Sequence, residues 1–207
     1  MPRPENQSTH PTLQEILRVA FELFGRHGYE GVSISQIAAA AQTTTGALYW
    51  HFDDKGDLYR RCLNELRDRF RTHLLAPLSD ASQSPSAALA RYFSGLVQLV
   101  GSPENAQIVS GYVFQIGDPE WPIAQGFGQS LEAEVLGLLE ANFERGRACG
   151  EYRFEYEPAL YARIVLATML GCTLQARRGE GEAVQRMVRL LSDAILSRML
   201  GGAEPHE

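Results

Sequence analysis

The sequence predicts an all-α protein: a small N-terminal three-helix unit followed by a larger helical region. Three observations predict it. Apolar residues recur at helical spacing through most of the chain. Capping and proline signals cut that pattern into segments of ordinary helix length. The longest strand-like piece spans only residues 152–156, and no repeat or low-complexity tract intervenes.

At 207 residues the chain is long enough to bury a real core. Charged residues at 21% and hydrophobic ones at 44% are ordinary for a soluble globular protein. No apolar run approaches the roughly 20 residues of a membrane span. Residues 1–11 are polar and proline-broken, so they read as a loose arm and not as a signal peptide. Cys62, Cys149 and Cys172 are odd in number and lack C-x-x-C spacing. That argues against a zinc site and against a disulfide framework, and it suits a reducing cytoplasm. Neither metal nor cofactor is expected. The net charge of −6 counts against a protein that coats nucleic acid non-specifically. Residues 1–56 are also acidic on balance, with four basic against six acidic side chains, but residues 33–52 contain no acid.

The first helix starts at the capping box Thr12-Leu13-Gln14-Glu15 and carries Leu13, Ile16, Leu17, Ala20, Phe21 and Phe24 on one stripe. Gly25 and Gly28 are expected to end it. Ser33 and Gln36 form a second capping box. The short helix behind it turns Ile34, Ile37, Ala38 and Ala41 inward. After the polar break Gln42-Thr43-Thr44-Thr45, Thr44 caps another short helix in which Leu48 and Phe52 face the core. Thr45, Gly46, Tyr49 and Trp50 are left outward. Two short helices joined by a tight turn, the second presenting aromatics beside small and hydroxyl residues, read as a helix-turn-helix whose second helix docks in the DNA major groove.

The residues Ile37, Ala38, Ala41, Thr44, Gly46, Leu48, Tyr49, His51, Phe52 and Lys55 occur at the spacing I-A-x-x-A-x-x-[ST]-x-G-x-L-Y-x-H-F-x-x-K. This resembles the DNA-binding signature of the TetR family of bacterial regulators, and Gly28-Tyr29-x-Gly31-x-Ser33 matches the approach to it. The resemblance covers about residues 12–58. Gln42 stands where that family usually has a turn glycine, and Thr43 where it usually has an apolar residue. A residue other than glycine at positive φ costs about 1 kcal/mol, which predicts a strained or reshaped turn.

A long helix capped by Asp54 carries Leu58, Cys62, Leu66, Phe70 and Leu74 until Pro77 stops it. Arg60, Arg61, Arg67, Arg69 and Arg71 along it read as a solvated face. Ser84-Pro85 opens a helix to about Val100, and Ser102-Pro103 one to Ile116. Gly117-Asp118-Pro119 breaks the chain, and a long helix follows Trp121-Pro122 to about Arg147. The last two helices, about 158–177 and 182–200, are joined by Gly179-Glu180-Gly181. One presents Leu160, Ile164, Ala167, Gly171 and Leu174; the other presents Val184, Met187, Val188, Leu191 and Ile195. Faces this broad suit a four-helix seam across the two-fold axis of a homodimer. The tail 201–207 reads as disordered.

No catalytic signature such as G-x-S-x-G or H-E-x-x-H is present. Glu132, Glu134, Glu140 and Glu144 share one helix and read as a solvated face, so the chain is not expected to be an enzyme. On the docking helix, Thr44, Thr45, Gly46 and Ala47 suit close approach to base edges. Ser33, Tyr49, Trp50, His51 and Lys55 complete the candidate DNA surface, with Tyr49, His51 and Lys55 suited to phosphate.

What the resemblance implies for the remaining chain is an effector pocket in a helical domain, where a small molecule biases the fold away from DNA binding. Phe93, Leu96, Tyr112, Phe114, Trp121, Phe127 and Met169 are the candidate wall residues, and they imply a mainly apolar or aromatic ligand. The expected organisation is an arm at 1–11, a helix-turn-helix domain at 12–56, a helical effector-binding and dimerisation domain at 57–200, and a tail. The expected function is a cytoplasmic, homodimeric repressor released from a palindromic double-stranded DNA operator by its effector. Two alternatives stay open: a DNA-bound or helical interaction protein without an effector, and a redox trigger at Cys149 beside Arg145 and Arg147.

Overall fold

The computed structural model describes residues 12–118, 121–178 and 181–201, which hold helices and no strand. The expected arm, tail and Gly179-Glu180 turn lie outside those residues. The helices are α1 (Leu13–His27), α2 (Ile34–Ala40), α3 (Thr45–Tyr49), α4 (Lys55–Phe70), α5 (Ala76–Ser79), α6 (Pro85–Leu99), α7 (Pro103–Ile116), α8 (Pro122–Ala148), α9 (Pro158–Arg177) and α10 (Gly181–Gly201).

The starts follow the capping chemistry. Thr12, Ser33, Thr44, Asp54, Ser84 and Ser102 each accept a first-turn backbone N–H through the side chain. Proline follows the cap at Pro85, Pro103, Pro122 and Pro158. Two stops differ from expectation. Gly25 lies inside α1, which runs on to a cap at Gly28 with φ of 76°. Pro77 does not halt the long helix; α4 passes into a π-helical turn, Arg71–Leu75, and Pro77 starts α5 beyond it.

Both departures come from tertiary packing. A Cβ added to Gly25 would lie 2.9 Å from the carbonyl oxygen of Ile108, and one added to Gly111 would lie 1.8 Å from that of Gly25. So α1 and α7 cross backbone against backbone, and glycine is required on both sides. A Cβ on Gly95 would lie 1.8 Å from the carbonyl oxygen of His73, so α6 seats directly on the π turn. Mid-helix π turns are uncommon and mark a place where the ladder has been reshaped.

One core runs through the whole chain. Leu58, Cys62, Leu66 and Phe70 of α4 are buried, with α1 on one side and α8 on another. α7 is packed between α1 and α9. At its end stands Gln115, a buried amide with all its partners inside the fold. Its Nε2 donates to the carbonyls of Phe24 (3.1 Å) and Gly111 (3.0 Å). Its Oε1 accepts from the Tyr29 amide (3.1 Å) and the Tyr59 hydroxyl (3.1 Å). The end of α1, the loop into α2, α4 and α7 meet at this one side chain. Around it Phe24, Tyr29, Tyr59 and Trp121 pack edge to face, with Tyr59–Phe24 centroids 5.1 Å apart.

The α4 arginines are pinned to neighbours and do not form a plain solvated face. Arg67 lies over Phe127 (4.5 Å) and donates to Ser130, Arg69 lies over Phe21 (4.2 Å), and Arg71 pairs with Glu134 (3.0 Å). Arg60 stays beside Asp57 on its own helix, whereas Arg61 reaches from Asp57 back to the His51 carbonyl (3.2 Å) and the Phe52 ring (5.0 Å). The expectation that no segment is apolar enough to span a membrane also needs correction. By length and composition α9 is, with mean hydropathy 1.4. Its residues pack inward on α7 and α8, and its outer face carries the stripe described below.

Replacing Gln115 with alanine strands the buried Tyr59 hydroxyl and the Tyr29 amide, while the Phe24 carbonyl keeps the Gly28 amide (2.9 Å). At about 1–3 kcal/mol for each of these groups the loss is about 2–6 kcal/mol, and at about 2–4 °C of melting temperature per kcal/mol a fall of at least about 4 °C is expected for Gln115→Ala. Gln107→Ala, at an exposed position one face away, should move it by less than about 2 °C. Thermal melts followed by circular dichroism make the comparison.

Candidate nucleic-acid interface and the cavity behind it

The turn between α2 and α3 is a Schellman closure. The Gln42 amide donates to Ala39 (3.1 Å) and the Thr43 amide to Ala38 (2.9 Å), satisfying the carbonyls at the end of α2. That closure needs a left-handed residue, and Gln42 supplies it at φ 53°, the positive φ of a non-glycine residue among those described. The strain expected of the turn is therefore present, and the turn keeps its shape.

Upstream, the Ser33 hydroxyl accepts from the Gln36 amide (3.2 Å) while Gln36 Oε1 accepts from the Ser33 amide (2.7 Å). Downstream, the Thr44 hydroxyl accepts from the Ala47 amide (3.2 Å). Caps at both starts fix the two short helices relative to each other. α3 is anchored by Leu48 and by Phe52 just beyond it, both buried. Its other face is open: Thr44, Thr45 and Gly46 are exposed, Ala47 half-buried, Tyr49 58% exposed and Trp50 87%. Such exposure of a tryptophan is unusual in a packed chain and marks a surface that meets something.

Two of the candidate phosphate ligands are partly engaged. Lys55 Nζ sits 4.2 Å from the centre of the Tyr29 ring, a cation–π seat that holds the ammonium at the mouth of the motif. The backbone carbonyl of His51 accepts from Arg61 Nη2 (3.2 Å), which leaves the imidazole exposed. Beside them Ile16, Thr43, Thr44, Gly46, Ala47, Trp50 and His51 border a shallow cleft between α1 and α3.

Behind this unit lies a cavity of about 220 Å³. Phe70 closes it on the α4 side, Val113, Ile116 and Gly117 on the α7 side, Leu131 and Val135 on α8, and Leu166, Met169 and Leu170 on α9. Asp118, Gln129 and Glu132 stand on its rim as the polar members. Of the seven residues expected to line an effector pocket, this cavity holds one. Met169 lines it, but Phe93 and Leu96 are buried elsewhere, Phe93 on the side facing α10. Tyr112 is buried at the α1 crossing, stacked on Phe21 at 4.7 Å and donating to its carbonyl (3.1 Å). Trp121 packs on Tyr29 and Tyr59, and Phe127 lies under Arg67. Phe114 is 58% exposed in an open groove next to the cavity, with Arg177 over its ring. Large aromatics fill space here; the hollow is left among medium aliphatic side chains. The available signal was the glycines: a Cβ on Gly128 would lie 2.4 Å from the carbonyl oxygen of Ile116, so α8 is drawn against the end of α7 where the hollow forms.

On α9, Leu160, Ile164, Ala167, Gly171 and Leu174 form one exposed stripe, flanked by Leu170. Met187 and Leu190 of α10 are exposed as well, and Leu191 and Ile195 are half-buried. Val184 and Val188 are not on this surface. Both are fully buried in the chain's own core, Val188 on the α6 side, because the inward face of α10 serves the monomer.

The cysteine geometry does not favour a redox trigger. Cys149 is exposed and its thiol points to the Gly146 carbonyl (3.5 Å), while Arg147 pairs with Glu144 (2.6 Å). Cys62 is buried and its thiol is pushed up to about 12 by burial. Burial also raises the Tyr59 and Tyr112 hydroxyls well above their usual range. Among the described residues no group of three or more His, Cys, Asp or Glu side chains forms a metal site.

Residues 16–62 match the family model described as bacterial regulatory proteins, tetR family. Over 59 residues the chain is 48% identical to the HTH-type transcriptional regulator AcrR of Shigella flexneri, a match spanning 28% of this chain and 27% of that protein. It is 21% identical over 187 residues to the HTH-type transcriptional repressor DhaR of Mycobacterium sp. (strain GP1), covering 90% of this chain and 93% of that one. The fold is that of a TetR transcriptional regulator from Chloroflexus aurantiacus J-10-FL, with a TM-score of 0.77 and 20% identity over 90% of this chain and 94% of the other.

Because Gln42 carries a left-handed conformation that glycine adopts freely, Gln42→Gly should stabilise the protein. The relief of about 1–2 kcal/mol is offset by about 0.5–1 kcal/mol of added chain entropy, leaving a net gain of about 0.5–1 kcal/mol. A rise of roughly 1–3 °C in melting temperature is expected. A fall would show that the Gln42 side chain makes a contribution larger than the strain.

Proposed function

As the chain belongs to the TetR family of bacterial regulatory proteins, we propose that it is a cytoplasmic transcriptional repressor. It binds a two-fold symmetric operator as a homodimer and leaves it when a small, mainly apolar organic effector enters the cavity behind the motif. The observation that carries the reading is α3: a capped, rigidly seated helix whose small and aromatic residues face solvent, in a segment, residues 33–52, that contains no acid.

Each residue then has a physical role. Thr45, Gly46 and Ala47 let the helix approach base edges closely, with threonine hydroxyl and methyl groups reading them. Tyr49, Trp50, His51 and Lys55 hold the phosphate backbone on either side, and Ser33 and Thr44 place the helix starts against it. No arginine on α3 grips guanine, so recognition depends on shape and on two copies meeting two half-sites about 34 Å apart. The stripe on α9, with Met187 and Leu191 of α10, supplies the seam between copies. The domain division at residues 56 and 57 is one of role: reading before it, sensing and pairing after it.

Release follows from what the cavity touches. α4 carries Lys55 at the DNA end and Phe70 at the cavity, about 22 Å apart at 1.5 Å per residue. α7 carries Val113 and Ile116 in the cavity wall and Gln115 on the loop into α2. A ligand that fits the cavity better when these helices are displaced favours the form with the wrong spacing for DNA, and only that difference in affinity produces release.

Selection of bound sequences from random duplex DNA tests the core of this. A two-fold symmetric consensus is expected, and none at low salt would overturn it. On that site Tyr49→Ala and Lys55→Ala should weaken binding to all sequences alike, by about threefold to tenfold each, whereas Thr45→Ala should relax preference at particular base pairs. The seam has its own check. Ile164→Glu puts a charge in an apolar stripe and should give monomers in sedimentation; an unchanged dimer would move the seam elsewhere.

A further inference from the structure

Lys55 differs from the arginines of the DNA side in what holds it. Of the 19 lysine and arginine residues in the sequence it is the single lysine. Arg18, Arg26, Arg60 and Arg61 each lie against a carboxylate. Lys55 makes no ion pair among the described residues, although Asp53 and Asp54 precede it and Asp57 follows. Its ammonium lies instead 4.2 Å from the centre of the Tyr29 ring. That ring is itself fixed. Tyr59 and Trp121 meet it edge to face at 5.1 and 5.5 Å, and the Tyr29 amide donates to Gln115 Oε1 at 3.1 Å. The base of Lys55 is fixed as well, since the Asp54 carboxylate caps α4 by accepting from the Asp57 amide (2.6 Å).

Resting on the reading of Lys55 as a phosphate contact, we propose that Tyr29 is a positioning residue for DNA binding: its ring holds the Lys55 ammonium in place before DNA arrives. The choice of a ring as partner has a physical consequence. A carboxylate partner would cancel the charge and would have to be given up when phosphate binds. A ring face attracts the ammonium and leaves its charge whole, and the half-buried side chain keeps N–H groups toward solvent for a phosphate oxygen. An unheld lysine chain loses rotamer freedom when it grips phosphate, and ordering such a side chain on binding costs the equivalent of about twofold to tenfold in affinity. Here the chain is ordered during folding, so that loss does not fall on the DNA complex. Tyr29 touches no DNA in this arrangement; it acts through Lys55.

Two measurements on the full chain test this. With lysine-selective isotope labelling, the ε-methylene group of Lys55 gives the single lysine side-chain signal in the magnetic resonance spectrum. It is expected upfield of free lysine, because protons over a ring face are shielded. The shift should persist when a random-sequence duplex is bound and vanish in Tyr29→Leu. A free-lysine position in the unsubstituted protein, or loss of the shift on binding DNA, overturns the proposal; should Tyr29→Leu fail to fold, these spectra decide alone. Affinity for the same duplex at low salt is the second measurement. Tyr29→Leu should weaken binding by about twofold to tenfold, and Tyr29→Phe, which keeps the ring face, should recover most of that loss. In a Lys55→Ala background Tyr29→Leu should add nothing. Additive losses would show that Tyr29 acts through the fold, and tighter binding by Tyr29→Leu would show that the ring withholds the cation. Either outcome overturns the positioning role and leaves Lys55 as a phosphate contact. If Lys55→Ala binds the duplex as well as the unsubstituted protein does, or neither binds, the phosphate role falls and the proposal with it.

Discussion

Everything else in the structure depends on the crossing of α1 and α7. Glycine on both helices lets Gly25 and Gly111 meet backbone to backbone, with no room for a side chain between them. One turn beyond the crossing, Gln115 satisfies four polar groups from the end of α1, the loop into α2, α4 and α7 itself. Close packing and a saturated amide act together. A shift of α7 meets hard backbone contact on α1, and a rotation of it breaks buried hydrogen bonds. The DNA-facing helices are therefore geared to α7, with no soft linker between them.

The π turn after Phe70 complements this. An extra residue in that turn changes the phase of the helix, so that Phe70 lines the cavity while Leu74 and Leu75 are buried beyond it. The widened turn is held from outside by Gly95 of α6. α4 is thus uniform from Lys55 to Phe70 and reshaped where it reaches the hollow. In the release proposed here, a ligand pressing on Phe70 would act at the end of a straight lever and next to its least regular turn.

What could be read without coordinates was local chemistry. The six side-chain caps, the buried stripe of α4, the outward Tyr49 and Trp50 and the strained Gln42 all depend on residues within one or two turns of each other. What could not be read was which face meets which. Gly25 looked like a stop because glycine weakens helices, whereas its role is set by Ile108 and Gly111, some 80 positions away. The α4 arginines looked solvated because their partners Phe127, Ser130 and Glu134 lie on α8. The cavity wall failed for a related reason. Periodicity identifies apolar faces but says nothing about where packing leaves a gap, and choosing the largest aromatics selects the residues that close gaps.

The electrostatics of the DNA side fit the mechanical picture. Arg18 is neutralised by Glu15 and Glu22, Arg60 and Arg61 lie against Asp57, and Lys55 rests on Tyr29. Few cations remain for phosphate, so the salt-dependent part of binding, which scales with the phosphates neutralised, is small for each copy. In the proposed dimer, affinity then comes from the fit of α3 in the groove and from two copies engaging at once. Interactions of that kind fall off steeply with misplacement, while long-range attraction does not. A protein that binds DNA mainly by geometry is one that a modest change in geometry can remove, and the rigid path from the cavity through α7 and α4 is suited to deliver such a change.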